Sequence, residues 1–230
     1  MISFLAKHKR FIFTVVVVVF IGSIFFISGQ VFTSSSDAVA DVGGTKISYN
    51  RFLQQVNRTL DSFKTSGTEV NEVITKGVKQ EVFREMVIEE LLSRQAKEMG
   101  MSVPDFEVAV EIQNTPQFTE NGVFDPRRYV QTIYSEFQMA PSEYESWRKQ
   151  SRLAGKYKQF LFNAVKVTPE ELKSSYLAKN KSLKDFDKNK DKYLEELSRE
   201  KFSQVATYLL RQLTVKMEIK NYLDQREQGK

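Results

Sequence analysis

The stretch QFTENGVFDPRRY, residues 117–129, decides how this chain is interpreted, because it interrupts a sequence that otherwise predicts one helix after another. Asn121 and Gly122 are typical of a tight turn. Asp125 followed by Pro126 is typical of a helix start, with aspartate as the cap and proline in the first helical position. We therefore predict a turn and then a new helix at Pro126.

Other helix starts along the chain use the same device of a capping residue between two apolar residues. Predicted caps are Ser48, Ser102, Asp125 and Thr168, and Phe124 with Tyr129 flanks the third of them. The predicted helices cover residues 48–65, 70–99, 102–114, 126–137, 141–165, 169–179 and 184–226. Because the last helix carries many aromatic and aliphatic residues, it must pack on the earlier helices or on a partner. The sequence leaves both options open.

One strand pair is predicted, over residues 38–42 and 45–47, around the turn Gly43-Gly44. The predicted fold class is therefore all-α: an N-terminal transmembrane helix, a short two-stranded hairpin, and a multi-helix domain closed by a long C-terminal helix. We assign residues 38–230 to that helical domain.

Composition excludes several kinds of chemistry. The chain has no cysteine, which removes disulfides and zinc-thiolate sites, and its only histidine is His8. No histidine-based triad, metal cluster or general base is therefore available in the rest of the chain. The net charge of +5 comes partly from the basic N-terminus. We predict no metal, no cofactor, no catalytic residue and no nucleic-acid partner.

An uncharged and mostly apolar run, FIFTVVVVVFIGSIFFIS, covers residues 11–28. As a helix it would be about 27 Å long, close to the thickness of the hydrocarbon core. We predict a transmembrane helix over residues 11–29, with residues 1–10 in the cytoplasm by the positive-inside rule and residues 30–37 as a polar tether. The alternative is a cleaved signal peptide, and residues 38–40, AVA, fit a cleavage site.

The sequence gives little evidence for catalytic side chains. Neighbouring glutamates occur at 89–90, 170–171 and 195–196, but adjacent helical residues point about 100° apart, so we interpret them as solvated. Trp147 is interpreted as a packing residue. A serine-lysine dyad is the one nucleophilic arrangement that the residue types still permit, and no particular pair stands out.

Residues 146–160, SWRKQSRLAGKYKQF, mix basic and aromatic residues in a pattern that superficially resembles a nucleic-acid-binding face. The predicted position outside the membrane argues against nucleic acid. We interpret the stretch as an amphipathic helix, with contact to anionic lipid headgroups as the alternative.

Four motifs in order resemble the SurA N-terminal-domain family. They are AVADVGGTKISYNRF at 38–52, QNTPQFTENGVFDPRRYVQTI at 113–133, APSEYESWRKQ at 140–150 and VTPEELKSSY at 167–176. The second motif matches the family pattern at Phe118, Gly122, Phe124, Asp125 and Tyr129, which we call the signature residues and interpret as structural. With the predicted anchor, the chain looks like the membrane-tethered, PpiD-like members of the family.

The chain also departs from this family. In the family's foldases a parvulin-type prolyl isomerase domain follows the last motif, whereas here about ten residues separate Tyr176 from the final helix. Residues 168–183 thus mark the place where relatives carry that domain. The resemblance implies a non-enzymatic holdase that binds unfolded or newly translocated envelope proteins through apolar and aromatic surfaces.

The implied location is the bacterial inner membrane, with a single span and the bulk of the chain in the periplasm. Implied partners are unfolded polypeptides, the lipid bilayer through residues 11–29, and the secretion translocon. The client-binding residues cannot be identified from the sequence. Two alternatives remain: a structural adaptor that uses the long C-terminal helix to bind one membrane complex, and a prolyl isomerase.

Overall fold

The computed structural model describes residues 38–228 and is mostly helical. The helices are α1 (Tyr49–Thr65), α2 (Glu72–Glu98), α3 (Asp105–Gln113), α4 (Pro126–Thr132), α5 (Pro141–Ala164), α6 (Pro169–Asn180), α7 (Phe186–Lys216) and α8 (Leu223–Glu227). The strands are β1 (Ala38–Val42), β2 (Thr45–Ser48), β3 (Thr119–Glu120), β4 (Val123–Phe124) and β5 (Ile219–Asn221).

The predicted transmembrane helix 11–29 and tether 30–37 lie outside the described residues. Between residues 38 and 228, no helix has both the length and the apolar character needed to cross a membrane.

The described residues divide into two compact units. The sheet unit comprises residues 38–157 and 216–228, and the helical unit comprises residues 158–215.

The sheet unit is organised around β1. This strand pairs antiparallel with β2 on one side and with β5 on the other, so the sheet order is β2-β1-β5. As the central strand, β1 is buried, and Val39, Ala40 and Val42 have no exposed surface. Phe52 and Val56 of α1 and Leu91 of α2 add to this core.

Three predicted helix caps are confirmed. The Ser48 hydroxyl accepts a hydrogen bond from the backbone N–H of Arg51, and the Asp125 carboxylate accepts from the first turn of α4. Thr168 and Glu171 form a complete capping box at the start of α6. These contacts are local, and local sequence therefore predicts them.

The fourth predicted cap is wrong. Helix α3 begins at Asp105 rather than at residue 102, and Pro104 occupies its cap position without a side-chain cap bond. Proline keeps the residue before it out of the helical region, so Ser102 is too far upstream to cap the helix. The helix predicted over residues 70–99 is observed over Glu72–Glu98. It begins after Asn71 because the Asn71 side chain caps it by accepting a hydrogen bond from the backbone N–H of Ile74.

The predicted helix 126–137 is helical over its whole length but changes type. Its α-helical part ends at Thr132, and residues Ile133–Phe137 form a π-helical turn that ends at Gln138 in the left-handed conformation, with φ 50°.

The single long helix predicted over 184–226 is also wrong. Helix α7 ends at Lys216, and the chain continues as β5, which pairs with β1, and then as α8. The backbone N–H of Gly43 donates to the carbonyl oxygen of Glu218 at 2.8 Å, next to this pairing. The partner strand lies at the other end of the described chain, so no local pattern indicates that these residues leave the helix.

Candidate functional site

The signature residues lie together in a small hairpin and the helix that follows it. Strands β3 and β4 pair through Thr119 with Phe124 and through Glu120 with Val123. The two residues between the strands, Asn121 and Gly122, have φ values of 52° and 79°. Positive φ at both positions is the geometry of the tightest hairpin turns, which explains why the sequence has Asn-Gly there.

Asp125 joins this hairpin to α4. Its Oδ1 accepts hydrogen bonds from the backbone N–H groups of Arg127, at 2.8 Å, and Arg128, at 3.3 Å. These bonds, led by that of Arg128, hold the pKa of the Asp125 carboxyl below its usual value. The Arg128 side chain then donates to the carbonyl oxygen of Gln117 at 3.0 Å, which fastens α4 to the start of the hairpin.

The aromatic signature residues form the centre of a ring cluster. Phe118 is fully buried and makes edge contacts with Tyr129, at 5.1 Å between ring centres, and with Tyr144, at 5.9 Å. Phe124 contacts Tyr129 at 5.8 Å, which confirms the predicted staple. Phe137 extends the cluster through Tyr144 at 4.6 Å.

The hydroxyl group of Tyr129 also has a hydrogen-bond partner. It donates to Glu145 Oε1 at 3.1 Å. Burial, and then the negative charge of Glu145, raise the pKa of this phenol above its usual value. These contacts lie within the chain and support the interpretation that the signature residues are structural.

The basic stretch 146–160 is largely engaged in ion pairs with α3. On α5, Arg148 donates to Glu111, and Arg152 bridges Glu107 at 2.9 Å and Glu111 at 3.0 Å. Lys156 donates to Glu107 at 2.7 Å. Each of these three cations is therefore paired with a carboxylate of α3.

These ion pairs predict a specific pH dependence. Hydrogen bonds from Lys156 and then Arg152 hold the pKa of Glu107 below its usual value. A folded-state pKa below the unfolded value, about 4.3, contributes stability at higher pH that is lost as pH falls through the folded pKa. We expect Glu107→Gln to be less stable than the unmodified chain at neutral pH, and we expect this difference to shrink in acid. Urea unfolding at pH 7 and near pH 3 measures both.

Glu69→Gln is the matched control, because Glu69 is an exposed glutamate in the loop between α1 and α2. It should leave the dependence of unfolding on pH unchanged. If Glu107→Gln and Glu69→Gln give the same curve, the ion pairs on α3 do not contribute as described.

The prediction that the neighbouring glutamates are solvated is wrong for Glu90. Glu90 is buried and accepts a hydrogen bond from Gln150 of α5, while Glu89 forms an ion pair with Arg51 at 3.3 Å. Both carboxylates thus connect helices. Within residues 38–228 no group of three or more acidic or histidine side chains is arranged to hold a metal ion.

The helical unit contains α6, most of α7 and the end of α5. Tyr176 of α6 is buried against the rings of Phe186 and Tyr193 of α7, at 5.2 and 4.7 Å. Near the start of α6, Lys201 of α7 donates to Glu171 at 2.9 Å. Residues 168–183, where relatives would carry a further domain, form α6 and the turn into α7.

The helical unit exposes a larger share of its large apolar side chains than the sheet unit does. It holds less than a third of the described residues but more than half of their exposed large apolar side chains. These are Phe160, Phe162, Leu177, Leu183, Leu194, Val205, Tyr208 and Val215. Its buried apolar side chains are few, namely Leu172, Tyr176, Leu210 and Leu213.

Four of the exposed side chains share one face of α7. Leu194, Val205, Tyr208 and Val215 follow one another at helical spacing, and the last two are 66% and 81% exposed. We call these four the α7 face. Single exposed apolar residues are common, but several on one face of one helix mark an interaction surface.

Sequence analysis did not identify the α7 face. The helix also carries Phe202, Leu210 and Leu213, which are less exposed, so the apolar pattern alone does not distinguish the outward side. Spacing places Val205, Tyr208 and Val215 together, but only the packed structure shows that they face outward.

Comparison with known proteins adds a family relationship. A family model described as the SurA-like N-terminal domain matches residues 1–158. Over 141 residues the chain is 28% identical to the periplasmic chaperone PpiD of Escherichia coli strain K12, and equally to that of Escherichia coli O6:H1. Each match covers 59% of this chain but 22% of the relative, so the chain spans about a fifth of the curated relatives it matches.

Proposed function

Since this chain belongs to the SurA-like N-terminal domain family, we propose that it is a periplasmic chaperone that holds unfolded or newly translocated envelope polypeptides without catalysis. The observation that carries this proposal is the α7 face, where four apolar side chains of one helix lie exposed. An unfolded chain presents apolar side chains in no fixed order, and such a face can bind them without shape-specific contacts. Burial of a few side chains gives modest affinity, which allows release without an energy source.

The test is an aggregation assay. The purified full chain, in several-fold excess over a chemically unfolded client, is expected to slow the rise of light scattering when the client is diluted from denaturant. An unrelated folded protein of similar size serves as the control. Equal scattering with the chain and with the control protein would refute the holdase function.

The proposal also puts the chain at the bacterial inner membrane. Support comes from the apolar run over residues 11–28 and the cations that precede it, Lys7, Lys9 and Arg10. A tether of this kind would keep the α7 face close to clients that emerge from the secretion translocon. Recovery of the chain in the membrane fraction after alkaline extraction would support the tether, and release into the supernatant would count against it.

A structural adaptor is the second candidate, because the α7 face would equally suit one permanent partner. The two functions differ in what contacts the face. With a photo-crosslinking residue at position 208, a holdase gives many products of different mass, whereas an adaptor gives one. A single product that survives detergent solubilisation would favour the adaptor.

Prolyl isomerase activity is not part of the proposal. Residues 168–183 hold a capped helix and a short turn, with no inserted domain at that point. We expect the full chain to leave the isomerisation rate of a proline peptide unchanged in a protease-coupled assay. Acceleration proportional to chain concentration would overturn this expectation.

A further inference from the structure

The C-terminal half of α7 is basic as well as apolar. All five acidic residues of α7 lie before residue 201, and residues 201–216 contain no carboxylate side chain. The same stretch contains three cations, Lys201, Arg211 and Lys216. It also contains every member of the α7 face except Leu194. A molecule that covers these apolar side chains therefore meets positive charge, and no negative charge, from this half of the helix.

Two of the three cations already have carboxylate partners. The Nζ atom of Lys201 lies 2.9 Å from Glu171 Oε1, and that of Lys216 lies 3.1 Å from Glu98 Oε2. Arg211 is exposed, and within residues 38–228 it forms no ion pair. One guanidinium group of this stretch is thus open to a carboxylate of another molecule.

Arg211 lies between the two most exposed side chains of the α7 face. It follows Tyr208 by three residues and precedes Val215 by four, and residues at both spacings are neighbours on a helix surface. Tyr208 and Val215 are 66% and 81% exposed. A polypeptide segment that packs on both side chains would therefore bring its own intervening residues close to Arg211.

We propose that the α7 face selects polypeptide segments in which an acidic residue lies among apolar residues, with the carboxylate bound by Arg211. The inference rests on the proposed function and names the class of client segment at that same face. A guanidinium group can bind a carboxylate through two parallel N–H···O bonds. Flanking apolar side chains remove part of the surrounding water, which strengthens the pairing. A lysine at the same place in the client would be repelled.

A surface of anionic lipid is the other negatively charged partner to consider. Sites that bind anionic headgroups carry clusters of about four to eight cations. In residues 201–216 a single cation is without a carboxylate partner, and it lies among apolar side chains. This arrangement suits one carboxylate of a polypeptide better than a lipid surface.

Peptides that differ in one charge allow a direct test. The purified full chain is titrated against three short fluorescent peptides with the same leucine-rich frame and a central glutamate, glutamine or lysine, and anisotropy reports binding. We expect the glutamate peptide to bind about two- to five-fold more tightly than the glutamine peptide, as one exposed ion pair would give. The lysine peptide should bind most weakly. In about 1 M salt the three affinities should converge, because charges are then screened over about 3 Å.

Arg211→Glu reverses the charge at the proposed contact. In this variant the lysine peptide should bind more tightly than the glutamate peptide, and Arg211→Gln should bind all three peptides alike. Lys188→Glu is the matched control, because it changes the net charge as Arg211→Glu does. Lys188 is exposed and lies about 35 Å from Arg211 along α7, so this variant should keep the preference for glutamate.

Equal affinities for the three peptides, or an unchanged glutamate preference in Arg211→Glu, would overturn the inference. The same shift in Lys188→Glu would also overturn it, since net charge alone would then explain the preference. Two further results would assign Arg211 to another partner. Without a peptide preference, weaker sedimentation of Arg211→Glu with phosphatidylglycerol vesicles would indicate lipid, and self-association that Arg211→Glu abolishes would indicate a second copy of the chain.

The aggregation assay distinguishes this failure from failure of the holdase function. A chain that suppresses aggregation but binds the three peptides alike keeps the proposed function and loses the inference. A chain that prefers the glutamate peptide but does not suppress aggregation keeps the peptide site and loses the holdase function. A chain that does neither loses both.

Discussion

Replacing Phe118 by alanine is expected to lower the free energy of unfolding by about 3–5 kcal/mol. Phe118 is fully buried, and its ring makes edge contacts with both Tyr129 and Tyr144. The substitution removes the apolar contacts of the ring and leaves a cavity that the surrounding aromatic cluster fills only partly. Since whole domains are stable by about 5–15 kcal/mol, this loss is a large share of the total. Urea unfolding followed by circular dichroism measures it.

Phe106→Ala is the matched control, because Phe106 on α3 is 67% exposed. We expect this variant to change the free energy of unfolding by less than about 0.5 kcal/mol. Phe118→Leu, which keeps most of the volume, should fall between the two. If Phe118→Ala costs no more than Phe106→Ala, the signature residues do not have the structural role assigned to them.

The second large effect concerns function. A triple variant of the α7 face, Val205→Ser, Tyr208→Ser and Val215→Ser, should need roughly ten-fold more chain to suppress client aggregation. A ten-fold change corresponds to about 1.4 kcal/mol, a modest part of the free energy that three apolar side chains gain when a client buries them. Stability should change little, because all three side chains are exposed in the free chain.

The control carries the same number of serine substitutions in the sheet unit. Val73, Phe106 and Val110 are at least half exposed, and their replacement by serine should leave aggregation suppression intact. Equal losses in the two triple variants would mean that any exposed apolar side chain serves and that the α7 face has no special role. No loss in the α7 variant would remove the observation on which the proposed function rests.

Phe118→Ala tests the fold, whereas the triple variant of the α7 face tests the proposed function. The residues that identify the family, from Phe118 to Tyr129, form a turn, a helix cap and a ring cluster, and they are occupied by contacts within the chain. The α7 face, whose four apolar side chains are exposed, lies beyond residue 158, where the family match ends.

Local features of the fold were predictable from the sequence. Capping side chains such as Ser48 and Thr168 bond to backbone groups three residues away, so the necessary information lies within one turn of helix. The turn at Asn121 and Gly122 is equally local, because both residues take the positive φ that Asn and Gly tolerate. The approximate positions of most helices were predictable for the same reason, because apolar spacing and caps are local features.

The sequence by itself determined the helical class, these caps and turns, and the family, because each depends on residues close together in the chain. Tertiary structure alone decided that residues 219–221 form a strand on β1, that Glu90 is buried, and that α7 turns Tyr208 and Val215 outward. Each of these outcomes depends on partners far away in sequence, and an apolar residue on a helix has the same local pattern whether its face is covered or exposed.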